Sequence, residues 1–363
     1  MNIMNPRDNL VSLYRRDGYD FMPIRFSGCP IVRQKIADAI GEGVTLARHY
    51  DYEKGFARVA SPSPTLIERE EPVDWRSFFN KDLHEKTSFG AYGVAHEPGS
   101  ESTAHMTRMH HPMAQVDSLE QMQAYPWPEW DFDNIGHMEQ AVSQCHSQDR
   151  PVVGEMSSAV WEAAWAIRDM TMLMTDMMLD DEKATFILDK VTTDSANRAA
   201  AFARAGVDLI NMGDDVGMQD SIMMSEELYR EWLKPRLAKV IAAAKAENPD
   251  VLVLYHSCGY VTPFIPDLIE VGVDVLNPVQ PECMAFADIH AEFGDTLSFC
   301  GTIGTQTTMP FGTPEEVRKT VLSNLETAGS KGGLMVCPTH LLEPEVPWAN
   351  IDAYIRACME FCE

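Results

Sequence analysis

The sequence predicts an α/β protein, a (β/α)8 TIM barrel with an N-terminal extension and long loops. From residue 150 onward, short apolar and β-branched runs alternate with helical stretches, which is the pattern of parallel strands joined by crossover helices. The 363 residues exceed the roughly 250 typical of such a barrel, and the excess precedes residue 150. We therefore expect one domain over 1–363, with an N-terminal elaboration over 1–150 that includes the first strands and regular βα units over 151–363.

Six βα units are predicted after residue 150. Their strands are the runs PVVGEM, VDLINMGDD, VLVLYHSCG, VDVLNPVQ, LSFCGTIG and GGLMVCPTH. The helical stretches are WEAAWAIRDMTMLMTDMML, DEKATFILDKVTTDSANRAAAFARAG, SEELYREWLKPRLAKVIAAAKAE, TPFIPDLIEVG, ADIHAEFG, TPEEVRKTVLSNLETAGS and NIDAYIRACMEFC. Two earlier candidates, FMPIRFSG and a run near SFGAYGVA, would bring the strands to eight. An open doubly wound sheet is the alternative, and the absence of a Gly-x-Gly-x-x-Gly turn after any strand argues against it.

The charge balance narrows the possible partners. Asp plus Glu number 55 against 29 Lys plus Arg, a formal net charge of −26. Such a surface repels phosphate backbones and anionic lipid, so neither nucleic acid nor a membrane is an expected partner. The chain has no long uncharged apolar run and no apolar signal-peptide core, so we expect a cytoplasmic protein. In that compartment the eight cysteines should be free thiols or metal ligands.

Polar residues at the predicted strand ends are the candidates for chemistry, because a barrel of this kind carries its active site at the C-terminal ends of its strands. Buried strands that finish in polar residues need hydrogen-bond partners, a ligand or a metal. In chain order these residues are Glu155, Ser157, Asn211, Asp214, Asp215, His256, Ser257, Cys258, Asn277, Gln280, Cys300, Thr302, Cys337 and His340.

His256 and Cys258 are the most informative pair among them. Residues two apart in an extended segment point to one side, so an imidazole nitrogen and a sulfur can aim at one point. That donor set suits Zn²⁺, and a catalytic zinc keeps three protein ligands and one open position. Cys337 and His340 are the natural candidates for the third ligand, with Gln280 a weaker one. The alternative is a packed cysteine beside a hydrogen-bonded histidine.

The acids and amides at the other strand ends have several possible roles. Asp214 or Asp215 is a candidate general base or orienting group for a substrate hydroxyl or amine, with Gln280 as a further candidate catalytic residue. The alternative for the two acids is a capping or loop role. Asn211 and Asn277 are candidates for cofactor binding.

Two other stretches are open to more than one interpretation. The loop-rich region 93–136 contains four histidines that either face a site or are solvated, namely His96, His105, His110 and His111. The methionine-rich stretch 169–178 is more typical of adaptable core than of a cofactor face.

Six longer stretches carry a family resemblance over nearly the whole chain. They are NPRDNLVSLYRRDGYDFMPIRF, YPWPEWD, AGVDLINMGDDVGMQDSIMMSEELYREWLKPRL, LYHSCGYVTPFIPDLIEVGVDVLNPVQP, FGDTLSFCGTIGTQ and GGLMVCPTHLLEPEVPWANI. With them the chain resembles the uroporphyrinogen decarboxylase superfamily. The resemblance implies a (β/α)8 barrel with an N-terminal extension that is often a dimer, so a homodimer is a possible state.

Within that superfamily, the chain looks closer to the cobalamin-dependent methyltransferases than to true uroporphyrinogen decarboxylases. The decarboxylases carry an Arg-Gln-Ala-Gly-Arg segment that grips substrate carboxylates. The corresponding region here reads Arg25-Phe26-Ser27-Gly28-Cys29-Pro30, without the glutamine and the second arginine. A substrate with eight carboxylates needs cationic partners, and a chain of net charge −26 shows no compensating cluster.

The methyltransferase branch implies a zinc held by a His-x-Cys pair and one later cysteine. His256 and Cys258 match the pair, while the later position falls on His340, with Cys337 three residues earlier. The resemblance thus predicts a zinc-assisted, corrinoid-dependent methyltransferase or demethylase component acting on a small molecule. A partner corrinoid protein would supply the cobalamin, since the Asp-x-His-x-x-Gly signature is absent. The alternatives are a decarboxylase or lyase acting on a small polar substrate, and a non-catalytic corrinoid or tetrapyrrole binding protein.

Overall fold

The computed structural model describes residues 3–56, 59–99 and 106–361, in which helices surround one parallel sheet. The helices are α1 (Pro6–Arg15), α2 (Pro30–Ile40), α3 (Leu46–His49), α4 (Leu119–Gln123), α5 (Gly136–His146), α6 (Trp161–Arg168), α7 (Met170–Met178), α8 (Glu182–Ala205), α9 (Glu226–Trp232), α10 (Lys234–Glu247), α11 (Ile265–Glu270), α12 (Phe286–Phe293), α13 (Thr308–Phe311), α14 (Pro314–Ala328) and α15 (Trp348–Glu360). Short 3₁₀ helices cover Trp75–Phe78 and Thr262–Phe264.

The strands fall into one parallel sheet and smaller antiparallel pieces. They are β1 (Thr65–Leu66), β2 (Ser88–Phe89), β3 (Ala95–Pro98), β4 (Thr107–His110), β5 (Trp130–Asp131), β6 (Val153–Glu155), β7 (Leu209–Gly213), β8 (Leu252–His256), β9 (Val275–Asn277), β10 (Ser298–Cys300) and β11 (Leu334–Met335). Strands β6 to β11 lie side by side in chain order, each parallel to the next. All six strands predicted after residue 150 are therefore confirmed.

Single backbone bridges occupy the two remaining barrel positions. Ala60 bridges Val152 in parallel beside β6, and Gly28 bridges Leu342 in parallel beyond β11. The Ile24 N–H donates to the Gly55 carbonyl at 2.8 Å, which links these two segments to each other. Main-chain contacts therefore link neighbouring segments all the way around the barrel, consistent with the predicted (β/α)8 class.

One of the two early strand predictions is wrong. The segment FMPIRFSG does take the first barrel position, through Gly28. The run near SFGAYGVA instead forms β2 and the start of β3 in a separate antiparallel sheet, ordered β2-β3-β4. Its glycines make a tight turn, in which the Gly93 N–H donates to the Gly90 carbonyl at 2.9 Å. The chain around Ala60 takes the second barrel position.

Two stretches predicted as single helices are each divided into two. Helices α6 and α7 are separated at Asp169, whose φ of 80° interrupts the helix and whose carboxylate accepts from the Thr171 N–H at 2.9 Å. Helices α9 and α10 are separated just before Pro235, because proline lacks the N–H that a continuous helix needs. Ser225 caps α9 by accepting from the Leu228 N–H at 3.2 Å.

A hydrophobic cluster running from Leu10 to Cys358 joins the barrel to its surrounding helices. The methionine-rich stretch contributes only partly to it, since Met177 is buried and Met178 is exposed. Arg168, 1% exposed, pairs with buried Asp176 at 2.9 Å and donates to two backbone carbonyls. The seven cysteines among the described residues are free thiols, and Cys362 lies outside those residues. In this part of the chain no helix combines the length and apolarity required to cross a bilayer.

Candidate active site

Asp215, His256 and Cys258 meet at the C-terminal ends of β7 and β8. The ligand atoms of the three side chains all lie within 4.8 Å of one another. The Cys258 Sγ is 3.4 Å from the His256 Nε2, which is 3.7 Å from the Asp215 Oδ1. The Cys258 backbone N–H also donates to that Oδ1 at 2.8 Å. A carboxylate, an imidazole and a thiol thus converge on one point.

The register of the parallel strands brings these residues together. Gly213 lies opposite His256, so Asp215 and Cys258 each lie two residues beyond a paired position. The loops that follow approach closely at Gly217, where a Cβ would lie 2.6 Å from the Cys258 carbonyl oxygen. Gly259, at φ 84°, makes the turn just after Cys258. Both turns need glycine, because a side chain at Gly217 would clash and one at Gly259 would be strained.

Asn277, at the end of β9, orients the His256 ring. Its Nδ2 donates to the Cys300 carbonyl at 2.7 Å, so its Oδ1 faces the His256 Nδ1 at 2.7 Å as an acceptor. The ring therefore carries its proton on Nδ1 and its lone pair on Nε2. An imidazole held by a hydrogen bond at one nitrogen, with the other nitrogen facing further donor atoms such as the Cys258 Sγ, is the usual arrangement of a histidine that binds a metal.

The donor set fits a divalent cation. Bond lengths of about 2.3 Å to sulfur and 2.0–2.1 Å to nitrogen and oxygen place tetrahedral S and N ligands about 3.6 Å apart and N and O ligands about 3.4 Å apart. The observed separations are 3.4 and 3.7 Å. Burial, followed by the negative charge of Asp215, raises the pKa of the Cys258 thiol to about 12. A cation at this point would oppose that rise and favour the thiolate.

Two more carboxyl groups lie next to this cluster. Asp214, 3% exposed, accepts from the backbone N–H groups of Val160 at 2.9 Å and Glu162 at 2.8 Å at the start of α6. Burial raises the pKa of Asp214 to about 7, although these hydrogen bonds lower it. Burial, then the charges of Asp214 and Asp215, raises the pKa of the Glu162 carboxyl to about 8. A carboxyl that keeps its proton near neutral pH can donate a hydrogen bond.

Two amides hold neighbouring segments of the site. The Gln280 Oε1 accepts from the Gly259 N–H at 3.1 Å, which fixes the turn after Cys258. The Asn211 Nδ2 donates to the Glu155 Oε2 at 2.6 Å, and the other oxygen of Glu155 lies 3.5 Å from the Arg25 guanidinium.

A cavity of about 350 Å³ opens beside this cluster. His256, Asn277 and Asn211 line one part of it, and the chain from Cys337 to Leu341 lines another. Arg25, Phe26 and Ser27 complete the wall. The same three residues also line a larger cavity of about 610 Å³ on the side of the N-terminal segment. Two adjoining cavities therefore share residues 25–27.

The family model for uroporphyrinogen decarboxylase (URO-D) matches residues 89–361 of this sequence. The chain belongs to the URO-D family. A methylated-thiol–coenzyme M methyltransferase of Methanosarcina mazei is 28% identical over 193 residues, covering 50% of this URO-D chain and 46% of that relative. A uroporphyrinogen decarboxylase of Chlorobaculum parvum is 25% identical over 187 residues, 51% of each chain. This URO-D chain spans about half the length of these curated relatives.

A solved structure supports the fold of this URO-D chain over its whole length. The methyltransferase from Methanosarcina mazei superposes with a TM-score of 0.65 at 18% sequence identity, covering 99% of this chain and 100% of that one. At that identity the likeness confirms the barrel fold.

This URO-D site contains part of the predicted constellation and adds residues to it. Cys337 and His340 line the same cavity as His256, but the closely spaced ligand group among the described residues includes neither. The Cys337 Sγ lies 3.8 Å from the Cys300 Sγ, and His340 is exposed. Glu162 was not foreseen, because an acid in the first turn of a helix is ordinary in sequence.

The loop histidines have partners of their own. The His110 Nε2 lies 2.8 Å from Glu97, and the His111 Nδ1 lies 2.9 Å from the Ala166 carbonyl. His96 lies 3.2 Å from the Thr107 hydroxyl. These contacts favour a structural role for the three residues. His105 lies outside the described residues.

Proposed function

We propose that this chain is the methyltransferase component of a corrinoid-dependent system. It moves a methyl group between a cobalamin carrier protein and a small acceptor, or from a methylated or methoxy donor to that carrier. The observation that carries the proposal is the Asp215, His256 and Cys258 cluster at the C-terminal ends of β7 and β8, of which His256 lines the 350 Å³ cavity. The methyltransferase relative in Methanosarcina mazei supports it.

We propose zinc as the metal, held by the Asp215 carboxylate, the His256 Nε2 and the Cys258 thiolate. In this proposal Asp215 is the third ligand, the role for which the sequence predicted Cys337 or His340. Bound there, zinc would supply Lewis acidity, which lowers the pKa of a substrate thiol or polarises a methoxy oxygen.

The residues around this group provide positioning. Methyl transfer is an in-line displacement, so the rate depends on how well donor and acceptor are aligned. Asn277 fixes the His256 ring, and Gln280 fixes the turn after Cys258. Buried Asp214 holds the start of α6 against the end of β7 and thereby positions Glu162 next to the cluster. We assign Asp214, Gln280 and Asn277 this positioning role. Asn211, which lines the 350 Å³ cavity, would orient Glu155, which lines the 610 Å³ cavity.

The substrate and the carrier meet at the open end of the barrel in this proposal. The 350 Å³ cavity suits a small substrate, and the corrinoid arrives on its own protein. We propose a cytoplasmic enzyme that works without nucleic acid or membrane. A homodimer stays a prediction.

Decarboxylation is the second candidate, because uroporphyrinogen decarboxylases also match about half of this chain. The substrate would be small, since Arg25 is the one lysine or arginine among the described residues that line the 350 Å³ cavity, and it already contacts Glu155. A polycarboxylate would need more cationic partners.

Metal analysis and an anoxic methyl-transfer assay test the proposal together. Wild type is expected to contain about one zinc per chain and to change the corrinoid spectrum with methylcobalamin and a thiol, or with cob(I)alamin and a methoxy donor. Asp215→Ala and His256→Ala should lose both zinc and turnover. His340→Ala and Cys337→Ser, which alter the same cavity, should retain zinc. A chain that lacks zinc and keeps a decarboxylase activity in His256→Ala would favour the second candidate.

A further inference from the structure

The larger cavity, about 610 Å³, has the size of a small-molecule site. It lies between the first barrel segment and the chain around Phe56, against α1 and α2. Four aromatic residues line it, Tyr14, Phe21, Phe26 and Phe56. Val153, Leu209 and Met335 complete its apolar wall from the barrel strands. A rigid, flat, apolar body is the ligand that such walls accommodate best.

The same cavity has a positive charge that is unusual for this chain. Arg25, Arg33 and Lys54 are the cations among its described lining residues, and Glu155 is the one carboxylate. Glu155 is already engaged by Arg25 and Asn211. The Lys54 ammonium lies 5.0 Å from the centre of the Phe21 ring. A local excess of cations in a chain of net charge −26 favours an anionic ligand.

The cavity adjoins the metal-binding cluster. Residues 25–27 line both this cavity and the smaller one that contains His256. A ligand in the larger cavity therefore lies against residues that also line the cavity of His256.

We propose that this cavity binds an aromatic carboxylate, with the ring among Phe21, Phe26 and Phe56 and the carboxylate facing Arg33 and Lys54. This inference rests on the proposed function in one respect, that the bound molecule is the methyl donor or acceptor. The binding itself is independent of it. Two cations and an aromatic wall distinguish this class from neutral aromatics and from aliphatic acids.

Titration calorimetry with three probes tests the binding on the full chain. The probes are 4-methoxybenzoate, its neutral analogue 4-methoxybenzyl alcohol and the aliphatic hexanoate. We expect 4-methoxybenzoate to bind at least tenfold more tightly than either of the others. The double variant Arg33→Gln/Lys54→Gln should weaken 4-methoxybenzoate at least tenfold and leave the alcohol unchanged, while Lys319→Gln, an exposed lysine on α14, should change neither. Phe56→Ala should weaken both aromatic probes.

The results separate the inference from the proposed function. Equal binding of acid and alcohol, no binding of any probe, or an unchanged affinity in the double variant would overturn the inference. Methyl transfer from a donor that 4-methoxybenzoate does not displace would overturn the statement that the molecule bound in the larger cavity is the methyl donor or acceptor. It would leave the methyltransferase proposal intact. Tight, charge-dependent binding without methyl transfer to a corrinoid would sustain the binding site and count against the proposed reaction.

Discussion

Replacing Asn277 with alanine should weaken zinc binding without removing any ligand. Asn277 makes two hydrogen bonds of 2.7 Å, one to the His256 Nδ1 and one to the Cys300 carbonyl. The second contact fixes the amide so that its oxygen faces the imidazole. Without that acceptor, His256 loses the partner that holds its proton on Nδ1 and sets the direction of its ring.

The expected loss of zinc affinity follows from the hydrogen bond between Asn277 and the His256 ring, since this is the contact that acts on a proposed zinc ligand. A hydrogen bond of this kind contributes about 0.5–1.5 kcal/mol, and leaving the ring free to reorient adds to the loss. Outer-shell partners of metal-binding histidines typically change metal affinity 10- to 100-fold. That range corresponds to about 1.4–2.7 kcal/mol. We therefore expect the zinc dissociation constant of Asn277→Ala to rise 10- to 100-fold.

Competition with a chromophoric chelator at pH 7.5 measures that constant. Asn324→Ala is the matched control, because Asn324 also donates to the carbonyl and hydroxyl of a barrel residue, Thr302, but lies outside the cluster. Circular dichroism should show the same fold in both variants. A change of less than threefold in Asn277→Ala, or an equal loss in Asn324→Ala, would refute the assigned role of Asn277.

Three further predictions concern the scaffold. A methyl group added by Gly217→Ala would lie 2.6 Å from the Cys258 carbonyl oxygen, so we expect about 1–3 kcal/mol of destabilisation and weaker zinc binding, whereas Gly136→Ala, in open space, should be nearly neutral in denaturant titration. Arg168→Met strands the buried carboxylate of Asp176 and should cost about 3–5 kcal/mol in unfolding free energy. Arg168→Met/Asp176→Leu should restore only part of this, because the two carbonyls that Arg168 binds stay unpaired. Hydrogen bonds from the His84 N–H and the His110 ring lower the pKa of Glu97 to about 2, so its stabilisation is present above pH 4.5 and is lost as pH falls towards 2. Glu97→Gln should therefore lower the urea midpoint at pH 7, and an equal deficit at pH 3 would contradict this origin.

The strands after residue 150 could be predicted because each contains apolar residues that are buried in the sheet. The first two barrel positions could not be predicted as reliably, because single bridges at Gly28 and Ala60 hold them instead of ladders. A bridge of one residue imposes no repeating pattern on the sequence. The break at Asp169 escaped prediction for a related reason, since its positive φ depends on local contacts and the hydrophobic pattern continues through it.

The pair His256 and Cys258 was visible in sequence because both residues lie in one segment. Asp215 could be recognised as a candidate acid at a strand end but not as the neighbour of that pair, because sequence separation carries no information on which strand end lies nearest. The register supplies that information. Gly213 pairs with His256, so Asp215 and Cys258 occupy equivalent positions two residues beyond adjacent strands.

The position of Asp215 affects the arrangement of the whole site. Strand β11, which precedes Cys337 and His340, is three strands from β8, which is roughly 14 Å along the barrel wall at the usual strand spacing. Cys337 and His340 line the same 350 Å³ cavity as His256, but neither belongs to the closely spaced ligand group among the described residues. With Asp215 from the neighbouring strand, the three donors lie on one side of the mouth and the residues after β11 remain free to line the cavity. On the proposal made above, His340 and the other residues after β11 would then contact the substrate rather than the metal.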